Sequence, residues 1–432
     1  MDYKNRNAGS LSALQSFLIY KTKLISLLFI FLFSSNCAQE NKTVPTVLTG
    51  ADILVSENLD LLKGKNLGII TNQTGVMQNG KHLVDSLLNI PGIKIKTLFG
   101  PEHGIRGNSA DGKIISDTTD ESRVRIFSIY GSTKKPTPEM LKDIDLLIFD
   151  MQDVGARFYT FISTMFYCLE AAAENNIPIL ILDRPNPIGG LNVDGPIIEK
   201  ELESFVGIAP IPIMHGMTIG ELALLFNDEQ MLKDGMKADL KIIKMKNWKR
   251  EYFYDETGLN WIPPSPNIPN LETAIVYPGT CLLEGTNISE GRGTDSPFLL
   301  FGASFFDSKK IINELEKMNI LGAEFSEEEF IPVEIPGKAV KPKFENQKCY
   351  GIRIKVTDRN EFKSVEFGVK LLSIISKIHS NEFQMKKYLD QLFGKKYLRE
   401  MIIKNSSYEI ITSQWVNELN QFKQLRNKYL QY

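Results

Sequence analysis

Glu102 and His103 stand side by side in the stretch Leu-Phe-Gly-Pro-Glu-His-Gly-Ile-Arg-Gly-Asn that runs from Leu98 to Asn108. An apolar run, Ile93 to Phe99, stops at Gly100-Pro101, so the pair falls on a turn beyond a strand rather than in a core. A carboxylate and an imidazole just past a strand end occupy the place where open α/β sheets keep their chemistry, although a Glu there also suits a helix cap. A second dense stretch, Tyr277 to Pro297, carries Glu284, Asn287, Glu290, Arg292 and Asp295 among four glycines. No Gly-Lys-Ser/Thr follows it, which excludes a P-loop; glycine-rich backbone with alternating charges reads as a loop that closely approaches a polar ligand.

The elements that must position these residues alternate. Strand-like apolar runs cover Asn66–Thr71, Ile93–Phe99, Leu146–Phe149, Ile177–Leu182 and Ala238–Met245. Helical spacing covers Lys81–Leu88, Pro138–Ile144 and Phe161–Glu174. That alternation predicts an α/β fold built on a parallel sheet. If the strands are parallel, their exits share one edge, which then carries Asn72, Gln73, Glu102, His103, Asp150, Gln152, Asp153, Asp183 and Arg184. The aspartates in that set equally suit helix N-caps. Thr218 and Glu221 form a capping box, so Glu221 reads as a cap, with His215 in the loop just before it. Trp261 to Asn267 is a stiff, proline-dense loop whose Trp suits either a sugar ring or plain packing. From Phe298 a second unit follows, with helices over Lys309–Met318, Glu361–His379 and Trp415–Leu430 and an alternating strand over Tyr350–Thr357.

The 432 residues carry 50 basic and 52 acidic side chains, a net charge of -2 that leaves no electrostatic footprint for nucleic acid. Lys21 and Lys23 precede an apolar run, Leu24 to Phe33, too short to span a membrane, and Ser34-Ser35-Asn36-Cys37 follows. The expected organisation is a lipoprotein-type signal peptide over 1–36, a lipidated Cys37 opening a tether over 37–47, a parallel-sheet α/β domain over 48–297 that carries the catalytic candidates and a smaller α/β domain over 298–432. The protein would then sit in the cell envelope, periplasmic or on the outer membrane, touching the membrane only through its lipid. Cys168, Cys281 and Cys349 are odd in number and widely spaced, so no disulfide framework is implied. The four histidines lack His-Glu-x-x-His spacing, and no metal or cofactor is expected.

Carboxylates, amides and arginines with few metal ligands are what glycoside cleavage requires: one acid protonates the leaving oxygen while a second carboxylate attacks or activates water. Glu102, on a turn backed by strands, suits the acid. Glu290, Asp150, Asp153 and Glu284 compete for the second role, and Glu102, His103 and Glu290 form the candidate catalytic set. Two other readings stand beside this one: a metal-dependent envelope hydrolase using His103, His215 and Asp150, and a non-catalytic sugar-binding lipoprotein.

Five stretches in order carry a family resemblance: Gly100–Gly107, Asp150–Phe161, Leu182–Pro187, His215–Ala223 and Glu284–Thr294. Read together they resemble the bacterial exo-β-N-acetylmuramidases, glycoside hydrolases formerly grouped as a domain of unknown function. The resemblance implies a Rossmann-like N-terminal domain holding the cleft, a smaller C-terminal α/β domain, and release of N-acetylmuramic acid from the non-reducing ends of peptidoglycan fragments. It also implies Glu102 as the catalytic acid. The lactyl carboxylate of that sugar suits a bidentate cation, for which Arg106, Arg157, Arg184 and Arg292 are candidates. Asn72, Asn186 and Asn287 suit its hydroxyls and acetamido group, and Gln73, Asp150, Gln152, Asp153, Tyr159, Asp183, His215 and Glu284 complete the candidate binding set. No Gly-x-Gly-x-x-Gly follows the first strand, so a Rossmann-like sheet here does not imply a nucleotide.

Overall fold

Short apolar runs make the central strands of the first sheet. β1 (Asn66–Thr71), β2 (Lys94–Gly100), β3 (Thr118–Thr119), β4 (Arg125–Ser128), β5 (Leu146–Asp150), β6 (Ile179–Leu182) and β7 (Leu240–Ile243) lie in the order β3-β4-β2-β1-β5-β6-β7. Only β3 runs antiparallel, against β4. These are elements of a computed structural model that describes residues 46–102, 104–105, 118–119 and 124–432. The expectations that fall on the signal peptide, Cys37, most of the tether, His103 and Arg106 lie outside the described residues.

Counted among themselves, the six parallel strands have the order 3-2-1-4-5-6, that of a doubly wound dinucleotide-type sheet. The order reverses between β1 and β5, which pair from Leu67–Leu146 to Thr71–Asp150. Every residue of β5 and β6 is buried, as strands covered on both faces require. One face packs under α1 (Gly50–Glu57) and α2 (Leu83–Leu88), with Leu54, Leu83 and Leu87 against Ile69, Leu98 and Ile148. The other takes α3 (Thr160–Asn175) and α4 (Ile219–Asp228). Asn176 closes α3 in the left-handed region, and the Thr218–Glu221 capping box opens α4 as its sequence predicts.

The second region carries an antiparallel sheet of β8 (Leu300–Ala303), β9 (Ala323–Phe330) and β10 (Cys349–Val356), ordered β8-β10-β9. Around it lie α5 (Leu271–Thr280), α6 (Ser308–Lys317), α7 (Ser364–Ile378), α8 (Tyr388–Phe393), α9 (Tyr397–Ile403), α10 (Tyr408–Ser413) and α11 (Val416–Arg426). One apolar cluster runs without a break from Phe149 and Phe161 through Tyr277 and Phe298 to Phe301 and Phe367, so the two sheets share a core. Residues Thr46–Tyr432 accordingly form one compact unit.

Two elements differ from expectation. Residues 138–144 make turns rather than a helix, because Asp143 adopts φ 63° and ends the single turn closed by Leu141 N–H on Thr137 O. The first part of the Tyr277–Pro297 stretch is helix, not loop: α5 continues through Pro278 and Gly279 to Thr280, and Cys281–Gly285 adds a 3₁₀ turn. Asn270 caps the start of α5 by accepting from Thr273 N at 2.9 Å. Ser364 secures its end, donating to Val276 O at 2.8 Å and accepting from Gly279 N at 2.9 Å. A Cβ on Gly279 would stand 1.9 Å from Ser364 O, so only glycine lets α5 and α7 meet this closely.

Candidate active site

The turn after β2 sets Glu102. Gly104 adopts φ 74° and its N–H bonds back to Pro101 O at 2.9 Å, a backbone shape that favours glycine. Ile105 tucks into the core while Glu102 stays half-buried at the rim. Ile129 N–H donates to Gly100 O at 2.9 Å, which brings the exit of β4 beside the turn. Tyr130, next along, donates its hydroxyl to Glu102 Oε1 at 2.6 Å. Thr160, the first residue of α3, donates to Glu102 Oε2 at 3.0 Å. Each carboxylate oxygen therefore holds a hydroxyl.

Glu102, Tyr130, Tyr159 and Thr160 line a pocket of about 180 Å³. Tyr277, Glu284, Arg292 and Phe298 line the same pocket, as do Tyr388 and Leu392 of α8. Ser265 and Asn267, from the proline-dense loop, add polar edges. Edge-to-face contacts stiffen the aromatic walls: Phe158–Tyr277 at 5.2 Å, Tyr159–Phe161 at 4.8 Å and Tyr277–Phe298 at 4.8 Å between ring centres. Trp261 of the same loop meets Tyr254 at 5.1 Å and does not line the pocket.

Glu284 faces Arg292, which donates to its Oε1 from Nη2 at 2.9 Å and from Nε at 3.3 Å. Arg292 Nε also lies 3.6 Å from Glu290 Oε1, and its guanidinium covers the Phe298 ring at 5.3 Å. Burial raises the Glu284 carboxyl above its ordinary value; Arg292 opposes that and the neighbouring Glu290 adds to it. Burial likewise raises the Tyr388 hydroxyl, with Glu284 next in weight and Glu102 also contributing.

The other strand-exit residues form a buried polar layer outside this pocket. Arg184 Nε meets Asp150 Oδ1 at 2.6 Å with both side chains buried, and Arg184 Nη1 reaches Val76 O at 3.2 Å. Asn72 Oδ1 accepts from Thr74 N and Oγ1 at 2.9 and 2.6 Å. Gln73 Nε2 donates to Pro263 O and Pro264 O at 2.9 and 3.1 Å, which fixes the proline loop. Gln152 Nε2 donates to Asp153 O and Pro185 O at 2.8 and 2.7 Å. His215 Nδ1 accepts from Met217 N at 3.2 Å, which puts the ring proton on Nε2, 3.5 Å from Asp153 Oδ2. Asn186 bridges Met217 O and Ile188 N at 3.0 and 3.2 Å. Arg157 is almost wholly buried and spends its fork on the carbonyls of Pro196, Ile211 and Leu392 at 2.7 to 2.9 Å. Asn287 pairs with Glu382 O and Gln384 N at 2.8 and 2.9 Å, tying its loop to the segment before α8.

The pocket thus gathers Glu102, Tyr159, Glu284 and Arg292 from the sequence candidates, with Glu290 directly behind Arg292. Among the described residues, no three His, Cys, Asp or Glu side chains converge as a metal site would need. Sequence reasoning passed over Tyr130, Thr160, Asn267, Tyr277 and Tyr388. Thr160 and Tyr277 lie in stretches already singled out, and Tyr130 in a Tyr-Gly turn after β4. Tyr388 has no local signal at all.

A small aromatic pocket at the exit edge of a Rossmann-type sheet, lined by two carboxylates, holds the groups that saccharide cleavage uses. Comparison with known proteins narrows this. Residues 67–272 match the family model "Exo-beta-N-acetylmuramidase NamZ, N-terminal", and 275–432 match its C-terminal counterpart. The chain is 45% identical over 404 residues to the peptidoglycan beta-N-acetylmuramidase NamZ of Bacillus subtilis (strain 168), covering 92% of this chain and 95% of that protein. Two crystal structures of DUF1343 family proteins from Bacteroides fragilis NCTC 9343 superpose with TM-scores of 0.81 and 0.73 at 35% and 36% identity, over 90% and 89% of this chain and 99% of each of theirs. The chain belongs to the NamZ family of exo-β-N-acetylmuramidases. Its pocket draws Glu102, Tyr130 and Thr160 from the first matched region and Glu284, Arg292 and Tyr388 from the second.

Asp183 serves the frame rather than the pocket. It accepts from Arg184 N and Gly220 N at 3.0 and 2.8 Å and from the hydroxyls of Thr218 and Tyr432, each at 2.7 Å. Burial, helped by Glu221, still pushes it up to about 6 against the pull of these donors. A carboxyl raised on folding stabilises the fold below its unfolded value and loses that contribution as pH climbs through the folded one. The unfolding free energy of the wild type minus that of Asp183→Asn should therefore fall by roughly 3 kcal/mol between about pH 4 and about pH 7. Denaturant melts of both proteins across that range measure it, and a flat difference rejects it.

Proposed function

We propose that this protein removes N-acetylmuramic acid from the non-reducing ends of peptidoglycan fragments, with Glu102 as the general acid. The observation that carries the reading is that Glu102 and Glu284 both line one small pocket, in a chain of this family. At about 180 Å³ the space falls below the roughly 300–1,000 Å³ of drug-sized sites, which suits a single terminal sugar better than a chain passing through.

The acid role fits the contacts of Glu102. Hydroxyls both donate and accept, so Tyr130 and Thr160 can hold the carboxylic acid and equally the carboxylate left when its proton passes to the glycosidic oxygen. The second carboxylate is Glu284, held by Arg292 where it can stabilise the positive charge that develops at the anomeric carbon, or act on that carbon or on water. Glu290 supports it from behind Arg292. Among the described residues Arg292 is the cation lining the pocket, and its planar fork suits the lactyl carboxylate that distinguishes this sugar from N-acetylglucosamine.

The test uses a chromogenic β-N-acetylmuramide beside the matching β-N-acetylglucosaminide. The wild type should release dye from the muramide alone. Glu102→Gln should lower that rate by about 10²–10⁴-fold, the span of general acid catalysis. Arg292→Ala should raise KM for the muramide and erode the preference between the two sugars. Unchanged hydrolysis by Glu102→Gln removes the acid assignment.

The same reading places the protein at the cell envelope, held by an acyl chain on Cys37. Its support is the basic, apolar and small-residue order from Lys21 to Cys37. Among the described residues no helix is long and apolar enough to cross a membrane. In cell fractionation, Cys37→Ser should move the protein from the membrane pellet to the soluble fraction, and a protein that stays with the membrane contradicts the anchor.

A further inference from the structure

Behind the pocket stands a cation that belongs to none of the family-like motifs. Lys343 lies between β9 and β10, and its ammonium donates to Leu283 O and Ile288 O at 2.8 Å each. It reaches Glu284 O at 3.4 Å and lies 2.9 Å from Glu290 Oε2. An ammonium has three protons, and these three carbonyls take them, while Glu290 adds its charge as an ion pair. All four contacts fall within residues 283–290, the segment that carries both Glu284 and Glu290. That segment leaves its 3₁₀ turn at Gly285 and becomes extended at Thr286, and Lys343 staples it across the change of direction.

The backbone around Lys343 bears a second, independent mark. Lys341, Phe344 and Asn346 adopt φ of 46°, 58° and 58°. Residues other than glycine avoid this region at a cost of about 1 kcal/mol or more each, and such strain persists where the surroundings demand one geometry. Here Asn346 N–H is fixed on Pro332 O at 2.8 Å and Phe344 packs on Phe305 with centres 6.3 Å apart. The chain contorts on both sides of the residue that delivers the ammonium.

Charge explains what this delivery achieves. Glu290 is nearly buried between two cations, Lys343 at 2.9 Å and Arg292 at 3.6 Å. Arg292 in turn stands nearer Glu284, at 2.9 Å. Without Lys343, Glu290 would be a buried carboxylate with Arg292 as its strongest attraction, and it would compete with Glu284 for the guanidinium.

We propose that Lys343 is a positioning residue of the active site: by answering Glu290 and clamping the 283–288 backbone, it keeps Arg292 on Glu284. The inference rests on the reading in which Glu284 acts in the pocket.

The test is run on the full chain with the chromogenic muramide, comparing wild type, Lys343→Met, Lys343→Arg and Lys343→Met with Glu290→Gln. Loss of a nearby cation makes a carboxylate harder to ionise. In Lys343→Met, kcat should fall about 10- to 100-fold, and the acidic limb of its pH profile should move up by about one pH unit. Lys343→Arg should restore part of the rate and most of the limb. Adding Glu290→Gln removes the charge that needed an answer and should bring the limb back. Where Lys343→Met alone does not fold, the double variant and Lys343→Arg carry the same comparison. A rate or melting temperature that changes with no movement of the limb overturns the proposal, as does full activity in Lys343→Met. If the wild type cleaves no muramide, the proposed function fails instead. Lys343 is then decided by ¹³C NMR titration of the Glu284 carboxyl, which moves up in Lys343→Met if the proposal holds and stays in place if it does not.

Discussion

The buried pair of Asp150 and Arg184, 2.6 Å apart at the exits of neighbouring strands, is the contact on which the exit edge of the sheet depends. Taking two charges out of water is costly, and their attraction repays it only when the geometry is good and the remaining polar atoms are engaged. Removing one partner of such a pair costs about 3–5 kcal/mol, because the other is left buried and unanswered. Asp150 Oδ2 and Arg184 Nη2 have no hydrogen-bond partner among the described residues, so the surrounding contacts hold the pair in place rather than saturate it. Val76 O takes Arg184 Nη1, Thr71 Oγ1 donates to Asp150 O, and Gly75 lies where any Cβ would meet Thr71 Oγ1 at 2.3 Å. These contacts fix the loops after β1, β5 and β6 relative to one another. The segment that follows β5 then arrives at Tyr159 and Thr160 with the register that Glu102 needs.

The same polar layer recruits the second half of the chain. Arg157 buries its charge on carbonyls, one of them Leu392 O in α8, and a Cβ at Gly394 would stand 2.8 Å from its Nη2. Tyr432, the final residue, reaches Asp183 and Met245 N, and packs edge-on to Trp248 at 5.2 Å. Arg426 of α11 donates to Gly190 O and Gly216 O at 3.1 and 3.0 Å. Each is a buried or half-buried polar group of one region satisfied by the other, and buried polar groups seldom go unpartnered. Closing these contacts brings α8 to the pocket, so that Tyr388 lines it together with Glu102. The second region is therefore part of the site's wall, not an appendage to a finished catalytic domain.

How legible this was varies with the kind of signal. The parallel sheet was legible because β1, β5 and β6 are short apolar runs cut off by Asn, Asp and Pro, and the stop at Gly100-Pro101 coincides with the end of β2 at Gly100. β4 was not, since Arg125–Ser128 has only one fully buried residue and no apolar run to mark it. α5 was masked by Pro278 and Gly279, whose usual meaning as helix breakers is overridden by Ser364 bonding to the last turn from another helix. Within the site, strand direction told which edge Asp150, Glu102 and Asp183 would share, but not how deep each would lie. Depth depends on partners distant in sequence: Tyr432 on Asp183, Leu392 on Arg157, Tyr130 on Glu102. Lys343 and Tyr388 sit in ordinary polar or amphipathic text, and only the closed chain brings them to the pocket.

Charge balance ties these features together. The pocket holds Glu102 and Glu284, with Glu290 immediately behind, so the local carboxylates outnumber any single cation. A substrate that itself carries a carboxylate would be repelled by such a wall unless its charge were met. In the proposed reading Arg292 does this, and its faces and edges do different jobs. One face lies on the Phe298 ring, which fixes the plane, while the edges remain directed at carboxylates. Lys343 takes up Glu290 from the far side, so that Arg292 does not have to neutralise two glutamates unaided. The lysine suits that place because its three protons reach Leu283 O, Glu284 O and Ile288 O while the ammonium stays 2.9 Å from Glu290 Oε2. Acidity for catalysis and affinity for an anionic sugar are opposed demands, and in this fold they are reconciled by spacing two cations along one short segment.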